Sequence, residues 1–207
     1  MEINGTRALV TGAAAGAGRA IAAALAGAGA QVVGADLSPT DGEIRLDVTD
    51  DAALVAAIEK IRPDVLVNNA GGGGHVPPHY PDASVTEWSG WLDLNLRAPM
   101  LATQVALRCG AGAVVNVASM AGLGAEPHVS PEYSAAKAGL IRFTTALADP
   151  RVSCLVPGWI RTERAEAELA AMTPDERAAA PEPITLDALA AAVLQLIAGP
   201  ARVQVLP

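Results

Sequence analysis

The sequence predicts an α/β fold, a doubly wound parallel sheet of six to seven strands with helices on both faces. Three observations predict it. Short apolar runs alternate with helical patterns along the chain. The runs are continuously apolar, as strands buried on both faces require. The first of them ends in a glycine-rich turn that leads directly into a helical pattern.

The elements read in order as follows. Arg7-Ala8-Leu9-Val10 is the first strand, closed by Thr11-Gly12. The turn continues through Ala15, Gly16, Ala17 and Gly18. Ala20, Ile21, Ala24, Leu25 and Ala28 then share one helical face, and Gly27 and Gly29 mark its end. Residues 31–36 form a second strand closed by Asp36, followed by Leu37. Glycines let a backbone approach a pyrophosphate, and a helix N-terminus presents unpaired N–H groups and a positive dipole end. Asp36 lies where an acid can bond ribose hydroxyls. It would favour a free 2′-hydroxyl over a 2′-phosphate, so NAD is expected over NADP. No Arg or Lys lies in the turn before Gly16 or next to Asp36 in sequence.

Residues 43–47 read as a short third strand. Asp50 or Asp51 can cap the helix through Leu54, Val55 and Ile58, which Pro63 stops. Residues 64–67 form the fourth strand, which runs into Asn68-Asn69-Ala70-Gly71. These amides can pair loose backbone groups or face a ligand. Residues 72–81 form a loop that borders the substrate. His75 and His79 lie in it without a third ligand nearby, so no metal site is expected. Ser84-x-x-Glu87 is a capping box. It opens a long helix toward Leu107, bent at Pro99, with Asn95 as a surface amide if taken alone.

Residues 112–118 are the fifth strand, with Ser119 at its end. The next helix carries Tyr133 and Lys137, one turn apart on one face, and Pro150 ends it. The ammonium is expected to pull the phenol's pKa down toward working pH. Residues 152–156 form the sixth strand, closed by Pro157-Gly158. Residues 159–183 read as one short helix and a mobile lid. Thr185 or Asp187 caps a last helix, and residues 202–206 are a seventh strand. No repeat or interdomain linker is visible, so residues 1–207 read as one domain.

Composition narrows the partners. The chain is 51% apolar but only 3% aromatic, so its core must be aliphatic. The formal net charge of -8 argues against a nucleic-acid footprint. No apolar run is long enough to span a membrane, and the first residues do not read as a signal peptide. Cys109 and Cys154 read as buried thiols of a cytoplasmic protein.

Together these residues resemble the short-chain dehydrogenase/reductase family in its single-domain form, densely over residues 5–162. The matching motifs are Thr11-Gly12-x-x-x-Gly16-x-Gly18, Asp47, Asn68-Asn69-Ala70-Gly71, Asn95, Ser119, Tyr133 with Lys137, and Pro157-Gly158-x-x-x-Thr162. The resemblance implies a Rossmann fold and an NAD-dependent oxidoreductase acting on a secondary alcohol or ketone. It implies Tyr133 as general acid/base. Lys137 would lower its pKa and hold the nicotinamide ribose. Ser119 would bond the substrate oxygen, and Asn95 would hold a proton-relaying water. Asp47 and Val48 would meet the adenine, Asn69, Ala70 and Gly71 would line the cofactor through backbone groups, and Asn68 would tie strands together. Pro157, Ile160 and Thr162 would hold the nicotinamide amide. It further implies a homodimer or homotetramer, altered where the run from Lys137 to Pro157 is shorter than is usual. The end of the chain also lacks the family's acid-and-glycine finish.

A non-catalytic dinucleotide-binding regulator is the alternative, and a complete tetrad argues against it. An extended sugar-nucleotide epimerase would need more chain after residue 162. The substrate walls are expected from residues 72–81, 120–130 and 159–183, with Trp159, Met120, Met172, Leu123 and Tyr80 as apolar surfaces and His75, His79 and His128 as polar points.

Overall fold

The computed structural model describes residues 1–40, 42–73, 77–124, 130–200 and 202–207. Seven parallel strands form one sheet. They are β1 (Arg7–Thr11), β2 (Gln31–Asp36), β3 (Ile44–Arg45), β4 (Val65–Asn68), β5 (Ala113–Val117), β6 (Val152–Pro157) and β7 (Val203–Leu206). Their spatial order is β3-β2-β1-β4-β5-β6-β7. The order therefore reverses between β1 and β4, which opens a crevice at their carboxyl ends.

Side-chain alternation assigns the two faces. Ala8, Val10, Val67, Val115 and Leu155 pack against Ile21 and Leu25 of α1 (Gly16–Gly27) and Leu189, Val193 and Ile197 of α8 (Leu186–Ala198). Leu9, Leu66 and Val114 face the opposite way. They meet Leu54 and Ile58 of α2 (Asp51–Ile61) and Ala102, Val105 and Ala106 of α4 (Ala98–Arg108). A third cluster joins Cys154 and Val156 to Leu140 of α5 (Pro131–Leu147). Cys154 is buried as expected, whereas Cys109 is only half-buried.

The caps resolve two open choices. Asp50 accepts from Ala53 N–H at 3.0 Å and starts α2, and Thr185 accepts from Ala188 N–H at 3.2 Å and starts α8. The third strand is shorter than expected, two exposed residues at the sheet edge.

Two elements differ from the sequence reading. The long helix is divided into α3 (Val85–Leu92), a π-helical turn (Asp93–Arg97) and α4. The break precedes Pro99, which has no N–H for the Asn95 carbonyl, and Ala98 N–H bonds back to Asp93 O instead. The segment after β6 is two helices, α6 (Glu163–Ala171) and α7 (Pro174–Ala179), rather than one. Thr162 and Thr173 each cap one of them. An Ile160–Ile184 bridge closes the base of this segment. The helix carrying Tyr133 is 17 residues long, so the short run before β6 leaves it nearly five turns.

A buried polar network ties the sheet to its helices. Asn68 Nδ2 donates to Asn116 Oδ1 at 2.8 Å and lies 3.2 Å from Thr103 Oγ1. Asn116 Nδ2 donates to Thr144 Oγ1 at 3.0 Å. Asn68 thus ties β4 to β5 and α4, as the resemblance implies.

Candidate active site

A cleft of about 330 Å³ opens at the carboxyl ends of β1, β4 and β5. Its floor is Gly12, Ala15, Ala17 and Gly18, its far side Asp36, and its other wall Asn69, Ala70, Gly71 and Gly72. Tyr133, Lys137 and Ile160 complete it, with Val117 and Ala118 from the end of β5. Gly72, Val117 and Ala118 were not singled out from sequence. The last two were within reach of the rule that ligands sit beyond strand ends, since they precede Ser119.

Two side chains build the glycine cradle. Thr11 Oγ1 accepts from the N–H groups of Asn69 (3.1 Å) and Ala70 (3.0 Å). Asn69 Nδ2 donates to the carbonyls of Thr11 (3.0 Å) and Gly12 (3.2 Å). The backbone N–H groups of Asn69 and Ala70 are therefore already engaged within the wall. Gly18 packs against the same place. A Cβ there would overlap the Gly12 carbonyl and lie 2.6 Å from Asn69 Nδ2. The turn passes close over the start of α1, whose N-cap Ala15 has no side chain to offer and whose first turn holds no acid. The N–H groups of that turn are free for an anion. A pyrophosphate fits this cradle by shape and by donor set.

Asp36 borders the cleft while bracing its rim. Oδ2 accepts from Ala14 N–H at 3.1 Å and Oδ1 from Ser38 N–H at 2.9 Å. Leu37 is exposed beyond it. The sheet register sets Arg45 opposite Asp36, a neighbouring cation that linear sequence hides. Asp47 is exposed and accepts from Thr49 N–H (2.9 Å) and Oγ1 (2.7 Å), which hold its carboxyl below the usual range. Val48 lines a separate crevice of about 10 Å³ with Thr11 and Ala70. Pro157 is buried at the end of β6. Thr162 spends its hydroxyl on Ala165 N–H and turns its methyl toward Gly16.

The four polar residues of the resemblance gather around one wall. Asn95 is fully buried, not a surface amide. The π-helical turn directs it at Gly72, where it accepts from the N–H (3.0 Å) and donates to the carbonyl (3.0 Å). A Cβ on Gly71 would lie 2.7 Å from Asn95 Oδ1 and 3.2 Å from Lys137 Nζ, so both atoms converge there. Lys137 is 4% exposed and donates to Val117 O at 3.0 Å. Two of its three protons remain for the cleft. Ser119 lies two residues beyond the end of β5, and its Oγ accepts from Ala121 N–H at 3.2 Å.

The electrostatics correct one expectation. Burial pushes the Tyr133 phenol up. The neighbouring Ser119 hydroxyl and the Arg164 guanidinium of α6 pull the other way without overcoming it. Lys137 Nζ lies 5.6 Å from the ring centroid, and burial of the phenol outweighs the pull expected of a cation there. Burial of Lys137 pushes its ammonium down to about 8. His75 and His128 fall outside the described residues. His79 pairs with Glu132, one residue before Tyr133.

A parallel sheet with a glycine-rich turn at its reversal point is a dinucleotide-binding architecture. Comparison with known proteins agrees. The short chain dehydrogenase family model matches residues 6–172. The 3-oxoacyl-[acyl-carrier-protein] reductase FabG of Escherichia coli is 32% identical over 206 residues, covering 86% of this chain and 81% of that protein. A short-chain dehydrogenase/reductase structure from Burkholderia xenovorans superposes with a TM-score of 0.82 at 29% identity, covering 99% and 96% of the two chains. A short chain dehydrogenase from Burkholderia cenocepacia in complex with NADP gives 0.80 at 27% identity, covering 100% and 98%. The chain belongs to the short-chain dehydrogenase/reductase family, whose members bind a nicotinamide dinucleotide. No helix among the described residues is long and apolar enough to cross a membrane.

Lys137 makes stability depend on pH in the dinucleotide-free protein. Its folded pKa is depressed to about 8 from 10.5, so between those values the unfolded chain holds more protons. Stability from this group is lost as pH falls through 8 and regained as pH rises toward 10.5. Urea unfolding of wild type and Lys137→Met, compared from pH 7 to 10.5, is expected to shift in favour of wild type by roughly 3 kcal/mol. A difference flat across that range contradicts the buried ammonium.

Proposed function

We propose that this chain transfers a hydride between NAD(H) and a secondary alcohol or ketone, with Tyr133 as general acid/base. The observation that carries the reading is that Tyr133 and Lys137 line the same cleft as Gly12, Gly18 and Asp36. The dinucleotide supplies the hydride chemistry when bound. The chain's own residues handle the proton and the geometry.

Ser119 and Tyr133 present two hydroxyls where a substrate oxygen can sit. Ser119 holds that oxygen, and the Tyr133 phenol exchanges a proton with it. Lys137 uses its remaining N–H groups on the ribose and stands ready to feed protons to the wall at Gly71. Asn95 fixes Gly72, and the point beside Gly71 where its Oδ1 and Lys137 Nζ converge suits a relay water. The buried, raised phenol is a poor base by itself, and the Lys137 ammonium beside it is the group on this chain that favours the tyrosinate. Relatives named as reductases and dehydrogenases support this reading over a regulator. Assembly as a homodimer or homotetramer is part of the same proposal. Met100 on α4 and Leu147 on α5 are exposed apolar residues such an interface can cover.

NAD over NADP follows from Asp36, whose carboxylate repels a 2′-phosphate at the cleft rim. Arg45 beside it is the countervailing charge. Two measurements check these statements. Tyr133→Phe is expected to bind NADH within about threefold of wild type while turnover falls by about a thousandfold, since only the proton donor is removed. Equal turnover by the variant removes Tyr133 from the chemistry. Initial rates are expected to be higher with NAD than with NADP, and Asp36→Ala is expected to narrow the gap. Rates with NADP equal to or above those with NAD in wild type refute the cofactor assignment.

A further inference from the structure

Glu132 is a buried carboxylate that the proposed chemistry does not use. It is 6% exposed and lies in the first turn of α5, immediately before Tyr133. Its Oε1 is 3.0 Å from His79 Nδ1, and its Oε2 is 3.5 Å from Tyr80 N. Burial raises its pKa, but bonds from its own backbone N–H, His79 and Tyr80 outweigh burial and hold the carboxyl below its usual range. An ionised carboxylate only accepts, so His79 Nδ1 carries the shared proton.

The other end of the same loop is also fastened. Asn95 clasps Gly72 through both its N–H and its carbonyl. Trp91 packs on Gly73 so closely that a Cβ there would overlap its ring. Gly72 lines the cleft, and residues 79–80 are held beside Tyr133, which lines it too. The chain is thus held at Gly72 and Gly73 on the cleft wall, and again at His79 and Tyr80 beside the residue that precedes the phenol. A buried charge is costly to leave unpaired, so this tie is not interchangeable with a surface contact.

We propose that Glu132 is a positioning residue: it holds His79 and Tyr80 against α5 beside Tyr133, where these two residues form part of the substrate wall. The inference rests on the proposed oxidoreductase reading only for the word substrate. The clasp itself is independent of it.

The test is hydrogen exchange of the full chain, with NADH titration and steady-state kinetics on the same proteins. Glu132→Ala and His79→Ala are each expected to speed exchange over residues 77–83 by about tenfold or more. The double variant adds little to Glu132→Ala, because that substitution already removes the His79 bond along with the contact to Tyr80. Glu132→Gln, which still accepts, restores most of the protection. NADH affinity stays within about twofold, and with any alcohol that is turned over KM rises by about tenfold while kcat changes little. Unchanged exchange in the single variants, or additive effects in the double, overturns the clasp. Lost protection with an unaltered KM overturns the wall. Should Glu132→Ala not fold, His79→Ala and Glu132→Gln decide alone. Should no alcohol be turned over, exchange and NADH binding still decide the clasp, and the failure belongs to the oxidoreductase reading.

Discussion

The ends of β1 and β4 are stitched together by one hydroxyl and one amide, and the cleft depends on that stitch. Thr11 Oγ1 holds the N–H groups of Asn69 and Ala70, and Asn69 Nδ2 holds the carbonyls of Thr11 and Gly12. Strand order reverses at this pair, and the stitch continues the β1–β4 ladder past Val10 and Val67 to the strand ends. With the strand ends fixed, the glycine turn must pass over the start of α1, and only Gly18 leaves room for the Gly12 carbonyl. The free N–H groups of α1 then point into space that the stitch has kept open. Donors used inside the wall are not available to a ligand. The anion-binding capacity therefore lies with the helix, not with the strand that faces it.

The opposite wall is held at a cost. Lys137 is buried with a single backbone partner, and a desolvated ammonium works against folding. Tyr133 is likewise raised by burial. Both groups gain from charge and hydroxyl groups placed beside them. Sites that need a perturbed proton donor commonly carry such local instability, offset elsewhere. Here the offset includes the Asn68–Asn116–Thr144 network, which locks β4, β5 and the helices behind them. The geometry of the wall rests on helices that are capped and packed, so the strained groups have little freedom to relax away from the cleft.

Much of this was legible in the chain itself. Continuous apolar runs mark buried parallel strands, and those runs, with the glycine turn and Asp36, announced the sheet and its nucleotide edge. The Ser84 cap was readable outright, and the caps of α2 and α8 were each narrowed to two candidates, because capping is local chemistry. What was not legible depends on contacts far apart in sequence. Asn95 looked like a surface amide because helical periodicity assumes an unbroken helix, and the π-helical turn before Pro99 rotates it inward. The phenol was expected to fall because Lys137 is four residues away. Desolvation of the phenol, which no spacing reveals, reverses the sign. Arg45 faces Asp36 only through sheet register, and Glu132 meets His79 only through the fold.

The account's central claim is that the Tyr133 wall and the glycine cradle serve one reaction. The most direct measurement incubates the protein with NAD and secondary alcohols deuterated at the carbinol carbon, and follows the label by mass spectrometry. The account predicts NADH carrying one deuterium, formed by wild type and essentially lost in Tyr133→Phe. Tight NAD binding with no labelled NADH from aliphatic, aromatic, steroid or polyol alcohols would contradict it.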